Sequence, residues 1–138
     1  IGGGDIEEEL RAKYTKKNII FKGKCSREDT LLAISKSKYL IQPSILYETF
    51  GLTIIEAMSF GVPVIGYQIG TRGDFIQDGV NGFLSGIDNL KDVIGNSYKY
   101  ECYELLSKNA IETAKLYENK YIIEEQIWIY NKILENEI

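Results

Sequence analysis

Two glutamates, Glu48 and Glu56, stand eight positions apart in the run Glu48-Thr49-Phe50-Gly51-Leu52-Thr53-Ile54-Ile55-Glu56. The first precedes a Phe-Gly-Leu turn, and the second sits inside an apolar stretch that continues through Ala57-Met58. A helix opening at Gly51 leaves its first N–H groups without intrahelical partners, and its dipole places partial positive charge there. A phosphate fits such an end, and glycine lets the backbone approach a ligand without an intervening side chain. Carboxylates on either side can accept short, directional hydrogen bonds from sugar hydroxyls. These residue types together suit a ligand that is both polyhydroxylated and phosphorylated. Each part is weak alone, because α/β proteins have several such turns that bind nothing and solvated glutamate pairs are commonplace. Glu56 is set apart by its neighbours Ile54, Ile55, Ala57 and Met58, among which it is the polar exception. It falls about five residues into the helix, roughly 7–8 Å along the axis from Gly51.

The elements that must hold this site alternate at short intervals. Asp5 with Glu8 reads as an N-cap pair for a helix reaching about Tyr14, and Glu7, Glu8 and Glu9 suit its positive end. Residues 18–22 read as a short buried strand closed by Gly23. Ser26 and Asp29 form a second capping pair, opening a helix through Leu31, Leu32, Ala33 and Ile34. A strand over Tyr39 to Gln42 stops at Pro43, which cannot donate to a ladder. The helix from Gly51 ends near Gly61, and Val62 to Tyr67 is the next strand. Asp78-Gly79 and Asn81-Gly82 mark tight turns before a small strand at Phe83-Leu84. From Leu90 onward the signal is helical, and Ile123, Ile127, Tyr130 and Leu134 form one apolar stripe, with Trp128 and Tyr130 expected in helix packing. The fold class is therefore α/β, a Rossmann-like parallel sheet with helices on both faces. In such sheets ligands bind at the carboxyl edge of the strands, where the Gly51 turn falls.

Size and composition narrow the functions. A chain of 138 residues suits one domain, and 44% apolar with 26% charged residues is ordinary for a globular protein. The net charge of −4, with no basic block, gives no electrostatic support to a nucleic-acid or anionic-membrane partner. No apolar run approaches the length of a membrane span. Cys25 and Cys102 read as free thiols, in keeping with a cytoplasmic location. The absence of histidine removes the commonest general base, the Ser-His and Cys-His nucleophile systems and the commonest zinc ligand. Ile1-Gly2-Gly3-Gly4-Asp5 reads as the end of a strand entering a turn and helix, so the chain is expected to be a fragment, truncated at its N-terminus.

Ser44, Glu48, Phe50-Gly51-Leu52, Glu56-Ala57-Met58, Gly61 and Pro63-Val64 together resemble the glutamate-x7-glutamate signature of retaining glycosyltransferases of family 4. The resemblance runs from Ile1 to about Leu84 and more loosely along the terminal helices. It implies the two-domain GT-B fold, with residues 1–138 as a single nucleotide-sugar-binding domain, most of the C-terminal half. The implied activity is sugar transfer from a nucleotide diphosphate donor with retained anomeric configuration and no bound metal or other cofactor. Glu48 is implied to act at the donor sugar near the reacting carbon, and Glu56 to hold the nucleotide ribose. Backbone N–H groups at Phe50, Gly51 and Leu52 are implied to receive the diphosphate or sugar hydroxyls, with Thr49 and Thr53 beside them. Phe21, Lys22 and Lys24 are candidates to wall the base, although for the two lysines ordinary exposure is the favoured reading. Gly70 and Thr71 stand where the family often has two glycines, and Asp74 where a glutamate is usual; turn chemistry explains them about equally well.

The resemblance also implies parts that this sequence does not hold. The family's basic pair, which neutralises the diphosphate, lies before Ile1; Arg72 is not at that position and receives no role. The acceptor-binding N-terminal domain is expected as a partner in the parent protein, carrying any peripheral membrane contact. The isolated chain is then expected to be inactive. Two other functions share the architecture: a non-catalytic sugar-nucleotide-binding partner subunit, and an epimerase-like enzyme.

Overall fold

Val62-Pro63-Val64-Ile65 is uninterrupted apolar sequence, as a strand covered on both faces requires, and it lies at the centre of the sheet. The computed structural model describes residues 1–47 and 49–134. Three strands, β1 (Leu40–Gln42), β2 (Val64–Tyr67) and β3 (Gly82–Ser85), form a parallel sheet in the order β1-β2-β3. Leu40 pairs with Val64 and Gln42 with Gly66 on one side; Val64 pairs with Gly82 and Tyr67 with Ser85 on the other.

The helices are α1 (Glu7–Lys13), α2 (Arg27–Ser35), α3 (Leu52–Ser59), α4 (Arg72–Phe75), α5 (Leu90–Ser97), α6 (Tyr103–Lys115) and α7 (Asn119–Leu134). The main core gathers Ile34 of α2, Ile54, Ala57 and Met58 of α3, Val64 of β2 and Ala110 and Ala114 of α6. The small residues Ala57 and Ala110 let α3 and α6 approach closely in that layer. Because strand side chains alternate, Ile65 leaves Val64's face, and α5 packs on β2 and β3. Helices thus cover both faces of the sheet, as the strand–helix alternation implies.

The local hydrogen bonds explain where α3 sits. Its C-terminus closes in a Schellman motif: Val62 N–H donates to Ala57 O at 3.0 Å and Gly61 N–H to Met58 O at 2.9 Å. Gly61 takes φ +69°, the left-handed conformation that this motif demands. The Ser26 cap forms as expected, with Asp29 N–H donating to Ser26 Oγ at 3.0 Å.

Three expectations are corrected. Asp5 does not cap α1: the N-cap is Ile6, without a side-chain bond, and Glu7 turns along the helix to pair with Arg11 at 2.7 Å. Residues 18–22 form no strand: Asn18 lies in a turn closed by Ile19 N–H to Lys16 O at 3.0 Å, and Ile20 is 77% exposed. A strand needs a neighbour to take its N–H and C=O groups in a ladder; the segment at Gly2 makes one bond, to Gly23 O, and no ladder with residues 18–22. The stripe of α7 is not packed either: Ile123, Ile127, Trp128, Tyr130 and Leu134 are all exposed.

Candidate functional site

The chain leaves β1 at Gln42, passes through an exposed loop and enters α3 at Gly51. That glycine has φ +72° and ψ +44°, so the backbone reverses there in a conformation that a β-carbon penalises. Among the described residues no side chain caps the first turn of α3, and no acidic residue occupies that turn. Leu52 and Thr53 are exposed at this end, as is Thr49 before it. Phe50 contributes its ring elsewhere. It meets Phe75 at 5.6 Å and Tyr117 at 6.1 Å, both edge-on, fastening the turn to α4 and the end of α6. This end of α3 thus presents the exposed Leu52 and Thr53 beside the first-turn amides, while Gly51 itself is buried.

Glu56 lies on the second turn of α3, with its side chain 23% exposed. Arg27 Nη2 donates to its Oε1 at 2.5 Å. Arg27 is the first residue of α2 and 71% exposed, so the carboxylate is directed toward the turn joining residues 22–26 to α2. The sequence offered no sign of this partner, since a basic residue at a helix start is ordinary surface. Glu48 lies outside the described residues.

The candidate base wall lies in the turn preceding that helix. Phe21 is half-buried, and the Arg11 guanidinium sits over its ring at 5.2 Å while donating to its carbonyl at 3.1 Å. Phe21 and Lys22 line a cleft of about 500 Å³ together with Ile1, Gly2, Gly3 and Gly4. Gly2 N–H donates to Gly23 O at 2.8 Å and draws the two segments together. Lys22 and Lys24 are exposed. The Gly2-Gly3-Gly4 run thus borders a concave surface as well as making a turn.

After β2, Gly70 takes φ +63° and Thr71 is half-buried at the head of α4. Asp74 N–H donates to Thr71 O at 2.9 Å, the turn bonding expected there, and the Asp74 side chain is exposed. Arg72, for which no role is expected from its place in the sequence, is fully buried at the head of α4. Its Nε donates to Gln42 Oε1 at 3.1 Å, Nη1 to Ile69 O at 3.0 Å and Nη2 to Leu46 O at 3.2 Å. Among the described residues no group of three or more His, Cys, Asp or Glu is placed to hold a metal ion. No helix among them is long and apolar enough to cross a membrane.

Comparison with known proteins shows the family and the fold. Residues 1–116 match the family Glycosyl transferases group 1. The chain belongs to that family. It is 26% identical over 148 residues to O-antigen chain mannosyltransferase C of Escherichia coli, covering 99% of this chain and 39% of the relative. It is 30% identical over 137 residues to N-acetyl-alpha-D-glucosaminyl L-malate synthase of Bacillus anthracis, covering 96% and 35%. Among solved structures, the pneumococcal O-GlcNAc transferase GtfA in complex with UDP and GlcNAc superposes with a TM-score of 0.76 at 25% identity, over 96% of this chain and 29% of that one. The architecture is that of the Rossmann-like C-terminal domain of GT-B glycosyltransferases. The chain spans about two fifths or less of the length of these relatives.

Proposed function

We propose that this chain is the donor-binding half of a retaining glycosyltransferase of family 4, acting on a nucleotide diphosphate sugar. The observation that carries the reading is the end of α3. Gly51 turns the backbone into a helix start that no described side chain caps, with Leu52 and Thr53 exposed there, and Glu56 stands one helical turn beyond it, paired with Arg27 at the head of α2. The amides of Phe50, Gly51, Leu52 and Thr53 receive the diphosphate, and Thr49 and Thr53 add hydroxyls. Glu56 accepts from the ribose diol, exchanging part of its bond to Arg27 for the sugar. Phe21, Lys22 and Lys24 border the base, while Gly70 and Thr71 approach the transferred sugar. Glu48, reached through the loop before α3, acts at the reacting carbon.

Charge management follows from the same geometry. As the glycosidic bond to the diphosphate lengthens, negative charge grows on the departing phosphate oxygens. Preorganised amides and the positive helix end stabilise that charge without reorganisation. The reaction needs no metal on this reading. The structure of GtfA bound to UDP and GlcNAc supports the donor class by likeness.

Calorimetric titration of the full-length protein with UDP-, GDP- and ADP-sugars tests the reading, together with NMR of the product's anomeric carbon. Binding of one nucleotide series and a product of unchanged anomeric configuration are expected. Product of opposite configuration would remove the retaining mechanism, and inversion at C2 without consumption of an acceptor would mark an epimerase.

A further inference from the structure

We infer that Arg72 is a positioning residue for sugar transfer, a buried clamp that fixes the loop carrying Glu48 against the Gly70-Thr71 turn. The inference rests on the donor-site reading above. The three acceptors of Arg72 belong to three separate segments: the end of β1 at Gln42, the following loop at Leu46 and the turn after β2 at Ile69. All three segments emerge at the carboxyl edge of the sheet. The stem of Arg72 passes over Gly66, whose added β-carbon would stand 3.5 Å from Arg72 Cδ.

Phe50 anchors the far end of the loop, and the stretch before Glu48 is held differently. Ile45, Leu46 and Tyr47 are exposed, Leu46 by 74% and Tyr47 by 84%, so side-chain burial does not set its course. Leu46 N–H donates to Ser44 Oγ at 3.2 Å, a bond inside the loop itself. Among the described residues, Arg72 ties the loop to the body of the domain through Leu46 O, two residues before Glu48. A planar guanidinium presents its donors at fixed angles, which a lysine ammonium does not. The three acceptors among the described residues are neutral oxygens, and burying a guanidinium against them carries a desolvation cost. The charge is explained by the geometry it imposes.

The test uses Arg72→Lys and Gln42→Met in the full-length protein, reading kcat, KM for the nucleotide sugar, nucleotide Kd and Tm. Arg72→Lys is expected to lower kcat roughly 10- to 100-fold by misplacing the loop. Nucleotide Kd stays within about threefold, since Glu56 and the α3 amides are untouched. Gln42→Met, which keeps the volume and removes one acceptor, lowers kcat less and in the same direction. A wild-type kcat in Arg72→Lys overturns the proposal, as does a loss of kcat, nucleotide affinity and Tm in parallel. Should Arg72→Lys fail to fold, Gln42→Met decides: lowered kcat at unchanged Tm supports the clamp, and unchanged kcat overturns it. An unsubstituted protein that neither binds nor turns over any nucleotide sugar overturns the donor reading and the clamp with it; normal wild-type turnover beside an unaffected Arg72→Lys overturns the clamp alone.

Discussion

Glu56→Ala separates ligand binding from folding, because the structure assigns very different sizes to the two effects. The visible partner of Glu56 is Arg27, whose side chain is 71% exposed. An ion pair so open to water is screened and is worth about 0–1 kcal/mol. Alanine is also a better helix former than glutamate, which offsets part of that loss in the middle of α3. The expected fall in Tm is therefore at most about 2–5 °C for a domain of this size. Binding stands to lose more. A carboxylate accepting from a ribose diol makes charge-assisted bonds of roughly 1.5–3 kcal/mol, about 10- to 150-fold in Kd. The assay is calorimetry with the ribonucleotide and its 2′- and 3′-deoxy analogues on both proteins. In the unsubstituted protein each missing hydroxyl weakens binding, whereas in Glu56→Ala the same deletions cost little, since the partner is already gone. Equal losses in the two proteins, or a nucleotide affinity untouched by the substitution, would refute the ribose role. An affinity loss matched by a large drop in Tm would show that Glu56 supports folding instead.

Three further outcomes follow from local geometry. Gly51→Ala forces a β-carbon into a left-handed conformation, costing about 1–2 kcal/mol by urea denaturation, and weakens nucleotide binding per folded molecule by obstructing the amides. Gly61→Ala is the control away from the ligand: its β-carbon would stand 2.7 Å from Ser107 Oγ, in addition to the strain at φ +69°. It lowers stability by about 2–5 kcal/mol while the folded fraction binds nucleotide as before. Burial holds the proton on the Tyr39 hydroxyl to higher pH than usual, helped by the neighbouring Tyr103 and Tyr100, and burial does the same for Tyr103. A proton held more tightly in the folded state contributes stability that is fully present below pH about 10 and lost as pH climbs through the raised values. Denaturation midpoints should therefore fall above pH 10, with 295 nm absorbance reporting late tyrosine ionisation. Tyr39→Phe and Tyr103→Phe should each lessen that fall.

What the sequence alone determined was whatever depends on a few adjacent residues. The Ser26 cap, the start of α3 at Gly51 and its Schellman end at Gly61 are bonds closed within six residues, so residue types announce them. The glutamate spacing and the turn between pointed to the family for the same reason. The tertiary structure decided the rest. Residues 18–22 have strand chemistry, yet a strand exists only where a neighbour completes its ladder. The cap expected at Asp5 did not form, although the Glu7–Arg11 pair four residues apart was as local as the Ser26 cap. The periodic stripe of α7 specifies an apolar face but not a surface to receive it. Arg27 reaches Glu56 across 29 positions, and Arg72 reaches Gln42 and Leu46 across 30 and 26. Contacts at such separations leave no spacing signature, because the sheet that folds between the partners brings them together.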